Sequence, residues 1–202
     1  MKRKSKVFLI CLMAEMLNFI VVIIFFDILK VSLFLDTIFT VAITFYFGLV
    51  PGLLVSIFYN LLSPLTSYLI NGVFEPTAFF FTFCGIAIVL VTWLFSRYED
   101  EFRISRPITV LYLILIAMLS SFCSIMIGGF IDYVRFSACE VSDKVAPIKK
   151  YMDAFLQQDF NLFAACIIAQ VPVSFIDRLI TTFLGYKVYK LLKRIFGDYK
   201  EW

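Results

Sequence analysis

The sequence predicts an all-α integral membrane protein, with six transmembrane helices in one bundle and both termini in the cytoplasm. Three observations carry that expectation. Of the 202 residues, 62% are hydrophobic and only 16% are charged, far from the roughly 45–50% apolar share of a water-soluble domain. The apolar residues gather into runs close to the roughly 17–25 residues with which a helix crosses a bilayer. Lys and Arg collect in alternate connections between those runs, the pattern that fixes orientation in a membrane. The chain reads as a single domain, residues 1–202, with the lipid bilayer as its solvent.

The first segment, Val7 to Ile28, exceeds the roughly 7–15 apolar residues of a signal-peptide core and lacks a small-residue cleavage site, so it reads as a spanning helix. The second runs from about Leu35 to Val50. It is opened by Asp36-Thr37, as by an N-cap, and closed by Pro51-Gly52. The third is Leu53 to Ile70 with Pro64 inside it, and the fourth is Thr77 to Phe95. The fifth is Ile108 to Ile131, and the sixth is about Asn161 to Tyr186 with Pro172 inside it. An even number of spans puts both termini on one side.

Twelve basic residues mark that side: Lys2, Arg3, Lys4, Lys6, Arg97, Arg103, Arg106, Lys187, Lys190, Lys193, Arg194 and Lys200. Five fall on the other: Lys30, Arg135, Lys144, Lys149 and Lys150. The richer side is cytoplasmic. The connection 132–160 becomes an outer loop, in which Pro147 to Leu156 fits a short interfacial helix. No internal repeat is visible, which argues against an inverted-repeat transporter.

The chain has no histidine, which removes His-based triads, His-ligated metals and haem with a proximal His. Its five cysteines (Cys11, Cys84, Cys123, Cys139, Cys166) form no CxxC pair, and those in apolar stretches read as small hydrophobes. No enzyme, metal site, cofactor or nucleic-acid partner is expected. The informative residues are polar ones inside the spans, where a charge costs about 2.5–3.5 kcal/mol to insert.

Glu15 and Arg178 lie about 12 and 13.5 Å from the cytoplasmic ends of their spans, at 1.5 Å per residue. They read as a structural ion pair between the first and last helices, with a proton or substrate relay as the other reading. Asp36 is either a helix cap or a ligand contact, and Asn60 either interhelical glue or a cavity wall. Thr82, Ser120, Ser121, Ser124, Asn161, Gln170 and Ser174 share a depth band in the outer halves of the last three spans. Gly128-Gly129 lets backbones approach there. On the last span Gln170, Ser174 and Asp177 stack on one helix face, and Pro172 leaves the Ile168 carbonyl without its helical donor. Asp36, Thr82, Ser124, Asn161, Gln170, Ser174 and Asp177 are therefore the candidate substrate-binding residues of an outward-facing pocket. Asp177 keeps the second reading of a charge partner across the bundle.

The run LFLDTIFTVAITFYFGLVPGLLVSIFYNLL, Leu33 to Leu62, resembles the second and third helices of substrate-binding S components of energy-coupling factor (ECF) vitamin transporters. In that family an Asp-Thr pair opens helix two, a Gly-x-x-x-Gly turn (here Gly48 and Gly52) joins the helices, and an Asn follows in helix three (here Asn60). The run from Val171 to Arg194 is similar to the family's last helix, in which a Pro is followed by a polar pair, an apolar run and a basic end.

The resemblance implies a bacterial plasma-membrane protein without catalytic activity that captures a vitamin or related micronutrient near the outer surface. Its partners would be a transmembrane coupling protein and two ATPases. Two features depart from the family: Ala14-x-x-x-Asn18 stands where many members carry an Ala-x-x-x-Ala docking face, and Arg178 replaces a Lys. The alternative is a transmembrane ligand-sensing module working with a signalling partner. Nothing in the sequence names the solute.

Overall fold

In the computed structural model, which describes residues 3–29, 31, 33–72, 74, 76–98, 105–138 and 148–198, the apolar runs form helices. α1 (Arg3–Val22) continues as a π-helical turn, Ile23–Ile28. α2 (Ile38–Phe47) and α3 (Leu49–Asn71) follow, then a 3-10 turn (Pro76–Phe81) leading into α4 (Thr82–Ser96). α5 (Arg106–Ala138), the short α6 (Lys149–Leu156) and α7 (Leu162–Phe196) complete the described chain. Five segments, Lys4–Phe26, Leu49–Ile70, Pro76–Ser96, Arg106–Ala138 and Leu162–Phe196, are long and apolar enough to cross a membrane. They expose large apolar side chains such as Phe8, Leu69 and Phe122 outward, which a bundle in water avoids.

The second expected span differs. Only Ile38–Phe47 is helical, about 15 Å at 1.5 Å per residue, or half of a hydrocarbon core of about 30 Å. Its end is set by Gly48, whose φ of 90° is open to glycine at little cost. Pro51 and Gly52, expected to close this segment, instead lie in the first turn of α3, where proline's missing N–H removes no helical bond. All of α2 except Phe39 is buried. It packs against α1, α3, α4 and α7, as an interior helix that is apolar all round does. Its N-terminal end is not capped by Asp36. Asn18 of α1 accepts the Phe39 N–H at 3.1 Å and donates to Thr40 Oγ1 at 3.0 Å.

The later spans overrun their expected ends, so 132–138 of the expected outer loop is helix and α7 continues to Phe196. Asp132 and Arg135 do not mark an exit from the bundle, because they pair three residues apart on one helix face. The expected short helix forms as α6, which buries Met152, follows the buried Ile148 and packs on α7. Cys139 and Lys144 lie outside the described residues.

Two cores stand at opposite ends. Val7, Cys11, Phe45, Tyr46, Phe47, Tyr186 and Tyr189 belong to the one nearest the chain termini, where Tyr46 Oη donates to the Gly197 carbonyl at 2.9 Å. Met152, Ala165, Cys166 and Ala169 form the other. Two close approaches hold the helices together. A Cβ on Gly129 would come within 3.0 Å of the Ile167 backbone, and one on Gly185 within 2.8 Å of the Ile38 carbonyl. The first is the approach expected of Gly128-Gly129.

Candidate binding site

A cavity of about 170 Å³ lies in the half of the bundle away from the termini. The five long helices and the approach to α2 contribute the parts that reach that half. These are Val22 and Phe26 from α1 and its π turn, Asp36 and Thr37 from the approach to α2, and Tyr59 to Ser67 from α3. Phe81, Cys84, Gly85 and Ile88 come from α4 and its 3-10 turn, Ser124 to Arg135 from α5, and Gln170, Ser174 and Arg178 from α7. Two local departures from α geometry border it. The π turn carries Phe26 into the wall, and Pro64 within α3 supplies no N–H to the Asn60 carbonyl one turn back.

Charge is concentrated in two groups. In the first, Arg178 Nη2 lies 3.1 Å from Asp177 Oδ2 and 3.6 Å from Asp36 Oδ1, and Nη1 donates to Thr37 Oγ1. Asp177 is fully buried behind the wall, and its Oδ1 accepts the Leu35 N–H at 2.6 Å. Asp36 keeps 21% of its side chain exposed. In the second group Asp132 is held from both sides, by Arg135 Nη1 at 2.8 Å and Gln170 Nε2 at 2.7 Å. Gln170 Oε1 in turn accepts from Ser174 Oγ at 3.0 Å. The Arg135 guanidinium also stands 5.3 Å from the centre of the Phe81 ring, within cation–π range.

Buried polar groups are normally satisfied. Ser124 Oγ and Arg178 Nε are both buried without a hydrogen-bond partner, and both residues line the cavity.

Of the seven expected binding residues, four line the cavity: Asp36, Ser124, Gln170 and Ser174. Three do not. Thr82 donates to the Phe79 carbonyl at 2.7 Å, within its own turn. Asn161 is exposed and caps α7 by accepting the Ala164 N–H at 2.8 Å, a role its type favours. Asp177 belongs to the support behind the wall, and Ile168 is not part of the lining.

The expected Glu15–Arg178 pair does not form, since Arg178 is taken by Asp36 and Asp177. Glu15 is buried and its Oε1 has no hydrogen-bond partner. The depth count fails because Asn18 is fastened beside Thr40, one turn below the Asp36–Thr37 step that Arg178 reaches, and Glu15 lies a further turn down. Ala14 and Asn18 are buried against the bundle as well, so that pair presents no open docking face. Asn60 lines the cavity, and its amide donates to the Ser56 carbonyl on its own helix.

No protein-family model, curated protein or solved structure matches this chain. Tyr59, Thr37, Asp132 and Arg135 are lining residues that the sequence pattern does not single out as ligand contacts. The i,i+3 spacing of Asp132 and Arg135 in a helix-compatible run is the one signal available for that pair.

Proposed function

We propose that the chain is the membrane-embedded substrate-capture subunit of an ECF-type micronutrient uptake transporter, and not an enzyme. The observation that supports this reading most directly is the cavity itself. It is partly enclosed, combines aromatic walls with a few charged and hydroxyl groups, and lies in the half of the bundle away from the chain termini. Such a mixture is what a small-molecule site needs, apolar surface for affinity and a few polar groups for orientation.

In this reading the five long helices and α2 make up the six-helix layout, both termini are cytoplasmic, and the cavity opens outward. The Gly48 turn and the Asp36-Thr37 step at the cavity wall agree with the layout on which the resemblance rests. A transmembrane coupling protein and ATPase subunits are the partners in the bacterial plasma membrane, and a vitamin or related small molecule is the cargo.

The test is co-purification of the tagged chain from its own cells in mild detergent. The transporter reading expects a coupling protein together with ATPases. Recovery of a signalling protein instead would favour a ligand-sensing module.

A further inference from the structure

We infer that the cavity is built for a compact organic cation, a body of about one ring that carries an ammonium or other cationic N–H group seated at Asp36. The inference rests on the capture reading for calling the ligand cargo, but not for the site.

Three observations lead to it. First, among the described residues the charges on the Arg178 side do not balance: one guanidinium serves two carboxylates, Asp36 and Asp177. Asp177 is turned away into the support, where its Oδ1 accepts the Leu35 N–H and its Oδ2 stands 3.1 Å from Arg178 Nη2. Asp36 is the looser partner at 3.6 Å, with 21% of its side chain still open in the cavity wall. On the other side Asp132 is already matched by Arg135 and Gln170, so it leaves no comparable demand. Among the described lining residues Asp36 is thus the carboxylate left to meet a positive charge.

Second, aromatic rings surround that carboxylate's cavity: Phe26, Phe34, Tyr59 and Phe81 all line it. Ring faces attract cations, most strongly when both are out of water.

Third, Ser124 Oγ is buried without a partner in the same wall. Its residue is only 6% exposed, so the hydroxyl awaits a polar substituent on whatever fills the cavity. The size follows from volume, since about 170 Å³ is close to the roughly 150 Å³ that accommodates a benzene ring in an engineered apolar cavity.

The experiment uses three probes of nearly one shape and different charge: benzylammonium, benzyl alcohol and benzoate. Each is titrated against the purified full-length chain in detergent, with the melting temperature and intrinsic fluorescence as readouts. Benzylammonium should bind saturably and at least tenfold more tightly than the other two. Asp36→Asn should weaken it by about tenfold to a hundredfold, the range for losing one charge-assisted hydrogen bond. Equal or tighter binding of benzoate or benzyl alcohol, no saturable binding of benzylammonium, or an unchanged Asp36→Asn would each overturn the inference. Should Asp36→Asn fail to fold, the ranking of the three probes on the wild-type chain decides.

The result separates cleanly from the transporter reading. Cation preference without capture of coupling protein and ATPases removes that reading and keeps the site. Capture of those partners without cation preference does the reverse.

Discussion

Asp177 and Leu35 lie 142 positions apart in the chain and are joined by a 2.6 Å hydrogen bond, from the Leu35 N–H to Asp177 Oδ1. Leu35 is buried with a φ of 48°, a left-handed conformation that costs a non-glycine residue about 1–2 kcal/mol. The same carboxylate holds Arg178. One side chain on α7 therefore fixes both the chain's entry into α2 and the guanidinium beside Asp36. Replacing Asp177 with Ala leaves Arg178 its second partner, Asp36, but strands the buried Leu35 N–H, and should lower stability by about 1–3 kcal/mol. Asp177→Asn keeps an acceptor for Leu35 and should lose less. Thermal unfolding of both variants in detergent checks this, and equal losses would mean that the Leu35 bond contributes nothing.

Glu15 and Arg178 should behave independently. Removing the Glu15 charge leaves no guanidinium unpaired, so Glu15→Gln should be neutral or stabilising. Arg178→Gln strands two carboxylates and should cost about 3–5 kcal/mol. In a double-mutant cycle the two effects should add to within about 0.5 kcal/mol. A coupling well above that value would restore the direct pair.

The seam between α2 and α7 should not tolerate a methyl group. A Cβ on Gly185 would stand 2.7 Å from Val41 Cγ1 and 2.8 Å from the Ile38 carbonyl, and a backbone atom cannot rotate aside. Gly185→Ala should therefore cost about 1–3 kcal/mol through overpacking. Gly72→Ala makes a useful contrast, because nothing lies within 4 Å of the added carbon there and its φ of 71° supplies the only penalty. Comparing the two melting temperatures separates packing from backbone strain.

The long helices are legible in the sequence because hydropathy over about 20 residues is a one-dimensional signal. α2 is not, since a short interior helix and a bilayer span are both continuous apolar runs, and only the backbone at Gly48 separates them. The site is half legible for a related reason. Gln170 and Ser174 share an α7 face by spacing alone, and they do bond to each other. Whether Asp177 points into the cavity or behind it depends on where Leu35 arrives, which no local spacing encodes. Depth alone pairs Arg178 with Glu15, but its partners are set by lateral packing, with one neighbour on its own helix and another at the approach to α2. Asn161 and Thr82 show the converse: each has a local backbone partner that satisfies it, so polarity at the right depth is no guide to the cavity.

Orientation is checked by labelling. With Cys139 replaced by Ser, a cysteine placed at the exposed Lys150 of α6 should react with an impermeant maleimide in intact cells. One placed at Tyr98, which is 50% exposed at the opposite end, should react only after permeabilisation. The reverse pattern would invert the topology.

The sharpest test of the cavity uses Ser124. A Leu at position 174 would also intrude, but Ser174 donates to Gln170, and its carbonyl accepts from Ser121 Oγ at 3.3 Å. A loss of binding in that variant could come from disturbed packing between α5 and α7. Ser124 lines the same cavity, and its hydroxyl makes no hydrogen bond, so Ser124→Leu removes no interaction within the protein. The larger side chain fills part of the cavity and buries apolar surface as it does so. Its melting temperature should therefore equal or exceed that of the wild type, while small-molecule binding in the cavity falls by at least tenfold. Mass spectrometry of molecules retained through purification, set beside the melting curve of the same sample, measures both. A folded Ser124→Leu protein that retains the wild-type complement of small molecules would move the site away from α5, and would leave Gln170 and Asp36 without a part in binding.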